Sequence, residues 1–205
     1  MTTFAELFNT ILTADKESSR KAARLVRKSV YSSYGHDKYE HIIAVIEIAP
    51  NEYAKITDDF RQENFVVAIS TMYFLHNREN QPDFLFPWLF ELLWHKNGNI
   101  RHAAVRMIKN ELGPLTYHIR FPNEARATTR GVSRESANHI LLKLFSALNN
   151  LLHESWKPEH KRYKYIDSLP SSTYKSAQLI LSELEEDCGE DYIKQMEEAL
   201  HLVPK

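Results

Sequence analysis

Arginines at helical spacing are the first residues in this sequence whose arrangement could do chemistry. Arg20, Arg24 and Arg27 lie three and four positions apart, which places them on one face of a helix. A related group of cations follows later in the chain: Arg101, Arg106 and Lys109. If the helices that carry them stack in register, the two groups form a ridge that attracts phosphates or an acidic partner. The alternative is that both groups are ordinary solvated faces of amphipathic helices.

Two later segments mix cations with aromatic or hydroxyl side chains. The first contains Arg120, Thr128, Thr129, Arg126 and Arg130. The second contains Trp156, Lys157, His160, Lys161, Arg162, Tyr163, Lys164 and Tyr165. Such a mixture suits nucleic acids, because cations meet phosphates while rings stack on exposed bases, but the same aromatics could anchor a loop to its own domain. The predicted ligand-binding surface comprises Arg20, Arg24, Arg27, Arg101, Arg106, Arg120, Lys161 and Arg162.

Residues suited to metal binding or catalysis do not form a recognisable motif. His36, Asp37 and His41 are the nearest approach to a metal site, but no His-Glu-x-x-His pattern occurs. The sequence has a single cysteine, Cys188, so a thiolate-rich zinc cluster is excluded. We expect this cysteine to have a structural role. Asp83 and Glu91 have the residue type that a glycosylase needs beside aromatic rings, although core packing explains the nearby aromatics. We therefore expect no metal, no cofactor and no assigned catalytic residue.

The elements that position these residues all have helical periodicity. Apolar residues recur three and four apart in successive segments, and no alternating strand pattern occurs. The predicted helices begin near Thr2 or Thr3, at Asp15, at Asp37, at Pro50 for a short helix through Phe60, and in the Pro82 and Pro87 region for a helix ending at Trp94. Two more follow, one beyond Asn97-Gly98-Asn99 and one capped by Ser133. Two segments are predicted to be loops: Pro122 to Gly131 and Trp156 to Pro170.

Glycines are few and fall between these predicted helices. The five positions are 35, 98, 113, 131 and 189. A glycine tolerates the positive φ that often ends a helix, so Gly113-Pro114 predicts a helix end. No cluster of glycines could cradle a phosphate, which argues against nucleotide-binding loops of the Walker or dinucleotide type.

Two pairs of similar segments indicate an internal repeat. Ser19-Arg20-Lys21-Ala22-Ala23 is similar to Ile100-Arg101-His102-Ala103-Ala104 at an offset of 81 residues, and Ser136-Ala137 to Ser176-Ala177 at an offset of 40. A helix pair of about 40 residues would fit both offsets and gives about five units in one domain over residues 1–205.

An arginine followed closely by paired alanines, in Asp15 to Val26 and Asn99 to Ile108, resembles the second helix of a HEAT repeat. The usual proline in the first helix of a pair is mostly missing. This resemblance implies an all-α fold of stacked antiparallel helix pairs, a HEAT-like α-solenoid, with a groove or scaffold surface for binding. It also implies an alternative, because a branch that includes alkylpurine DNA glycosylases uses such a stack to hold DNA.

The charge of the chain and the character of its first residues restrict the possible functions and locations only in part. The formal net charge is -1, so no global attraction to nucleic acid or to a membrane is expected, and residues 183–198 concentrate carboxylates that could pair with the rest of the protein. The start Met1-Thr2-Thr3-Phe4 lacks signal-peptide features, and we expect a cytoplasmic location with no membrane partner. The sequence favours a module that recognises a protein or peptide through a solenoid face. Nucleic-acid binding, with or without base removal, is the alternative.

Overall fold

The computed structural model describes residues 3–32, 37–75, 85–124, 133–155 and 172–202. Within these ranges every regular element is helical, which confirms the all-α prediction. The α-helices are α1 (Phe4–Thr13), α2 (Lys16–Ser32), α3 (Asp37–Glu47), α4 (Ala49–Tyr53), α5 (Asp59–Met72), α6 (Phe86–Trp94), α7 (Gly98–Arg120), α8 (Arg134–Ser155), α9 (Thr173–Cys188) and α10 (Glu190–Leu202). Among the described helices, none has the length and apolarity needed to cross a membrane.

The chain divides into two compact units, Met1–Gln81 and Pro82–Lys205, which we describe separately as unit 1 and unit 2. The expectation of one domain over residues 1–205 stays a prediction.

Unit 1 begins with a helical hairpin whose caps the sequence predicts correctly. Thr3 closes a capping box with Glu6: its hydroxyl accepts the Glu6 N–H at 3.2 Å, and its own N–H donates to the Glu6 carboxylate at 2.7 Å. Asp15 then caps α2, because one carboxylate oxygen accepts the N–H groups of Glu17 and Ser18. The two-residue turn at 14–15 leaves α1 and α2 packed against each other as an antiparallel pair.

Helix α5 packs against this hairpin through both apolar and polar contacts. Phe65 meets Phe8 edge to face, with ring centroids 5.8 Å apart. The buried Ser19 hydroxyl donates to the Ile11 carbonyl at 2.9 Å and accepts the Asn64 side-chain N–H at 2.9 Å, so one group joins three helices. Arg61 donates to the Ala14 carbonyl at 3.0 Å and so satisfies the C-terminal end of α1.

The short helix expected from Pro50 through Phe60 ends earlier than predicted. Helix α4 stops at Tyr53, after which the chain turns and buries Ile56. The Gln62 side chain donates to the Ile56 carbonyl at 2.8 Å, and Phe60 belongs to α5. Burial of Ile56 in the turn and the start of α5 after Asp58 explain the interruption, which the apolar spacing alone does not reveal.

Unit 2 contains two helix pairs, α6 with α7 and α8 with α9, and α7 also packs along α9. Asn97, Ser133 and Ser172 each accept a backbone N–H at the start of α7, α8 and α9 respectively. The predicted core stripe of α7 is buried throughout: Ile100, Ala103, Ala104, Met107, Ile108 and Leu112. The predicted start and buried face of this helix are therefore confirmed.

The helix end predicted at Gly113-Pro114 is wrong. Helix α7 continues through both residues to Arg120. Proline in a helix removes one backbone hydrogen bond and costs about 3 kcal/mol, but the next turn buries Leu115 and Thr116. The chain also adds a hydrogen bond there, because Arg120 donates to the Gly113 carbonyl at 2.9 Å. Packing of this turn outweighs the local cost of the proline.

The two predicted offsets differ in what they connect. Ala23 and Ala104 are buried in α2 and α7, and each of these helices is the second of a pair, as the 81-residue offset implies. Ser136-Ala137 begins α8, however, whereas Ser176-Ala177 begins α9, so the offset of 40 joins a first helix to a second one. Of the predicted glycine turns, Gly189 separates α9 from α10 with a φ of 78°, as expected.

Candidate functional site

Helix α2 carries a continuous set of exposed cations in unit 1, which we call the cationic face of α2. Its members are Lys16, Arg20, Lys21, Arg24, Arg27 and Lys28, all of them exposed. With 1.5 Å of rise and 100° of rotation per residue, they extend over about 18 Å of helix and lie within a sector of about 140°. The predicted spacing of Arg20, Arg24 and Arg27 therefore places them in one larger cationic surface.

The opposite side of α2 explains why the face is oriented outward. Its buried residues are Ser19, Ala22, Ala23, Val26 and Val30. The only carboxylate within α2 is Glu17, and Asp15 just before it is held in the helix cap. The six cationic side chains make no hydrogen bond or ion pair with any other residue that the structure describes. Their charge is thus presented to solvent largely uncompensated.

The spacing of arginines alone predicts only half of this face, because Lys16, Lys21 and Lys28 are not part of that pattern. These lysines project into the same sector, because they lie three, four or seven positions from one of the arginines or from each other. A helical-wheel count of all cations, in place of arginines alone, would have found them.

The second predicted group does not form a comparable surface. Arg101 is only 6% exposed, and its Nη1 donates to the His95 carbonyl at 2.6 Å. Lys109 forms an ion pair with Glu183 of α9. Arg106 is exposed, and together with partial burial it lowers the pKa of His102, burial being the larger cause. The structure therefore separates these cations into one buried, one paired and one exposed residue.

Arg120 is also occupied within unit 2. Its Nε lies 3.2 Å from the Thr116 hydroxyl and 4.0 Å from an Asp187 carboxylate oxygen, and its guanidinium lies over the Phe121 ring. Glu183 and Asp187 both belong to the acidic C-terminal part of the chain. Two carboxylates of α9 therefore pair with cations of α7, as the sequence analysis considered for this acidic segment.

Other predicted candidates have less to offer, or lie outside the described residues. Lys161 and Arg162 lie outside them, as do Arg126, Arg130, His36 and Asp83, together with the side chains of Asp37 and His41. Glu91 is exposed on α6 while Trp88 is buried. Within the described ranges, no three metal-ligating side chains come together. Burial and the neighbouring Asp187 raise the pKa of the Cys188 thiol to about 12, so it stays protonated at neutral pH.

A cavity of about 220 Å³ lies in unit 2 where four helices begin or end, and we call it the α9 cavity. Its described lining is Trp94, His95, Lys96, Arg101, Ser155, Ser172, Thr173 and Tyr174. The first three residues end α6 or follow it, Ser155 ends α8, and Ser172 caps α9. The sequence does not predict this cavity, because its lining residues come from three separated parts of the chain.

Hydrogen bonds hold the wall of the α9 cavity in place. The Thr173 hydroxyl donates to the Leu93 carbonyl at 3.0 Å, which fixes the start of α9 to the end of α6. The bond from Arg101 to the His95 carbonyl fixes the guanidinium at the same wall. His95 Nδ1 in turn accepts the Asn97 N–H at 3.0 Å.

Comparison with known proteins adds no family to this geometry: no protein-family model, curated protein or solved structure matches the chain. The functional interpretation of the candidate sites therefore depends on their residues and geometry alone.

Proposed function

We propose that the protein binds nucleic acid through the cationic face of α2. The observation that carries the proposal is six exposed cations on one side of a single helix, without side-chain partners among the described residues. A nucleic-acid backbone presents closely spaced phosphates, and neutralising them releases condensed counterions. Such a surface binds the backbone and does not read base sequence.

The composition of the face supports nucleic acid over a protein partner. Protein interfaces have a core that is depleted of charge and rich in apolar or aromatic residues. Interfaces with nucleic acid are more polar and far more positive. Among the side chains of α2 that the structure describes, residues 16–30, the large apolar one at the edge of the cationic sector is Leu25, which is 38% exposed. The cations outnumber it six to one.

A HEAT-like solenoid is the architecture we propose around this face. It is supported by the helix pairs α1/α2, α6/α7 and α8/α9, and by packing of second helices on each other, as α7 packs on α9. In solenoids each pair contacts its neighbours and leaves extended faces for ligands.

A protein or peptide partner, favoured by the sequence analysis, is the second candidate function. The exposure of Leu25 beside the cations favours it, since an acidic peptide with one apolar anchor would use both features. This candidate predicts that an acidic peptide, and not nucleic acid, is the ligand.

The experiment is fluorescence-anisotropy titration of labelled DNA and RNA duplexes with three variants. Arg20→Gln/Arg24→Gln/Arg27→Gln removes half of the charge of the face, and glutamine keeps helix propensity high. Arg20→Lys/Arg24→Lys/Arg27→Lys keeps the charge. Lys143→Gln/Lys175→Gln/Lys194→Gln removes the same charge from exposed positions of unit 2. At low salt we expect the first variant to bind at least about tenfold more weakly, and the other two to bind within about threefold of the native protein.

Three results would overturn the proposal. The first is no binding of the native protein to either duplex at low salt. The second is an equal loss in the unit 2 variant, which would show that net charge alone matters. The third is tighter binding to a glutamate-rich peptide or to anionic lipid vesicles than to both duplexes, which would reassign the face to that ligand.

A further inference from the structure

We infer that the cationic face of α2 also binds a second copy of the protein, through exposed carboxylates of α9 and α10 in unit 2. We call these carboxylates the acidic surface. Its members are Glu185, Glu186, Glu190, Asp191, Glu197 and Glu198, all of them exposed. Nucleic acid would compete for the same face of α2, and only this competition rests on the proposed function.

Five of the six carboxylates of the acidic surface have no counter-charge within the part of the chain that the structure describes. Glu190 forms an ion pair with Lys194 at 2.8 Å, and Lys194 is the only cation within residues 183–200. The other five side chains make no hydrogen bond or ion pair with any residue of the described ranges. Like the cations of α2, they are presented to solvent largely uncompensated.

The acidic surface follows α10 much as the cationic face follows α2. With 100° of rotation and 1.5 Å of rise per residue, its four members on α10 lie within a sector of about 120° and extend over about 12 Å. The opposite side of α10 is buried at Met196. Glu185 and Glu186 lie in the last turn of α9, just before Gly189 separates that helix from α10. They add to the negative charge at the start of α10.

The carboxylates of the last turn of α9 do not stabilise their own helix. This turn contains Glu185, Glu186 and Asp187 and no cation. A carboxylate near the C-terminus of a helix is repelled by the negative end of the helix dipole. Asp187 is compensated by Thr116 and Arg120, but Glu185 and Glu186 have no such partner among the described residues. A cationic ligand would remove this repulsion.

The cationic face and the acidic surface match in charge. Six cations and Glu17, which is exposed in the same sector of α2, give the cationic face a net charge of +5. Six carboxylates and Lys194 give the acidic surface a net charge of -5. Every copy carries both, so a complementary partner is present at the concentration of the protein itself. Two copies can pair reciprocally as a dimer, or each contact can leave one surface of each kind open for a further copy.

The contact should be weak and sensitive to salt. Charge complementarity gives specificity and fast association more than high affinity, and neither surface has the apolar core of a stable interface. We expect a Kd of roughly 10–100 µM at low salt. Duplex DNA carries one negative charge per about 1.7 Å of its axis, which is denser than six carboxylates within residues 185–198. Nucleic acid should therefore displace the second copy.

Sedimentation equilibrium without nucleic acid tests the self-association directly. At about 100 µM protein and about 50 mM salt, we expect the weight-average mass of the native protein to exceed that of one chain. At about 500 mM salt the mass should return to that of one chain, because the Debye length is then only a few ångströms.

Variants locate the contact on both surfaces. Glu185→Lys/Glu186→Lys reverses two charges of the acidic surface, and lysine keeps helix propensity high. The matched control, Glu91→Lys/Glu135→Lys, reverses two exposed carboxylates of unit 2 outside this surface. We expect the first variant and Arg20→Gln/Arg24→Gln/Arg27→Gln each to weaken self-association at least about tenfold, and the control to stay within about threefold of the native protein.

A mixture of the two interface variants is the sharpest test. The triple glutamine variant keeps the native acidic surface, and Glu185→Lys/Glu186→Lys keeps the native cationic face. Each alone should sediment as a single chain, whereas an equimolar mixture should form a 1:1 complex that dissociates at about 500 mM salt.

Three results would overturn the inference: a native protein that stays a single chain at about 200 µM and low salt, an equal loss in the control variant, or a mixture that does not associate. Duplex DNA in excess should dissociate the native complex, and a complex that persists with the duplex bound would show that the two ligands use different surfaces. Self-association without duplex binding would contradict the proposed function alone, and duplex binding by a protein that never self-associates would contradict this inference alone.

Discussion

The Thr116 hydroxyl lies 2.8 Å from a carboxylate oxygen of Asp187, and this contact joins α7 to α9 just beyond Pro114. Thr116 is fully buried, and its hydroxyl also lies 2.8 Å from the Leu112 carbonyl and within 3.2 Å of Arg120 Nε. A polar cluster thus stabilises the part of α7 that a proline would otherwise disrupt.

Thr116→Val tests the contribution of this cluster. Valine has nearly the same shape but cannot form the hydrogen bond, and it leaves the Asp187 carboxylate with one partner fewer. We expect the free energy of unfolding, measured with urea, to fall by about 1–3 kcal/mol. The control is Thr13→Val, an exposed residue whose hydroxyl bonds only within its own helix, with an expected change of at most about 0.5 kcal/mol. Equal values for the two variants would contradict the role assigned to Thr116.

Pro114→Ala should stabilise the protein. Alanine restores a backbone N–H to the interior of α7 and has the highest helix propensity, so the free energy of unfolding should rise by about 1–3 kcal/mol. Urea denaturation measures the change, with Pro122→Ala in the turn after α7 as the control that should give no gain. A loss of stability would mean that the proline ring itself is needed at this position.

Pro114 also illustrates what the sequence could and could not predict. Helix starts were predictable because Thr3, Asp15, Asn97 and Ser133 act locally, through side chains that accept nearby N–H groups. The continuation of α7 depends on contacts with Asp187, which is 71 positions from Thr116 in the sequence. Local signals therefore predicted where helices begin better than where they end.

The same distinction applies to the candidate sites. The cationic face of α2 lies on one helix, so residue spacing was enough to find part of it. The α9 cavity joins residues from three separate segments, and its arginine was expected at the surface. Arg101 is buried and its guanidinium binds the His95 carbonyl, and residue spacing gives no information on such a contact.

The low pKa of His102 predicts a pH-dependent stability. Burial, with added repulsion from Arg106, disfavours the charged imidazole in the folded protein, so the unfolded chain takes up the proton first as the pH falls. Stability due to this group is therefore present above the usual histidine pKa of about 6.5 and is lost progressively as the pH falls below that value.

Replacing the histidine isolates its effect. His102→Gln should lose less stability than the native protein over this pH range, as measured by urea unfolding at each pH. Arg106→Gln should raise the pKa of His102 in an NMR titration, because it removes the repulsion but not the burial. A native His102 pKa at or above that of a free peptide histidine would contradict both expectations.

Cys188 should be chemically inert in the folded protein. Its pKa of about 12 means that almost no thiolate exists near pH 8, and the side chain is also buried. We expect labelling by iodoacetamide at about pH 8 to be at least tenfold slower in the native protein than in urea, where the pKa returns to an ordinary value of about 8.5. Mass spectrometry of the labelled protein gives the rates, and native labelling as fast as in urea would show an accessible thiol.

Salt dependence gives a second measure of the cationic face of α2. For duplex DNA the logarithm of the association constant falls with the logarithm of salt concentration by about 0.9 per neutralised phosphate. If each of Arg20, Arg24 and Arg27 neutralises one phosphate, the triple glutamine variant should reduce this slope by about 2 to 3. The triple lysine variant should retain the native slope, and a slope unchanged by the loss of all three charges would place the phosphate contacts elsewhere.

Ser19 contributes to the direction in which the cationic face of α2 points. The Ser19 hydroxyl bonds to both the Ile11 carbonyl and the Asn64 amide, and these two bonds favour one rotation of α2 about its own axis. Ser19→Ala would therefore keep all six cations but change the direction in which they point. Weaker nucleic-acid binding by that variant would show that the orientation of the cations matters, because their number is unchanged.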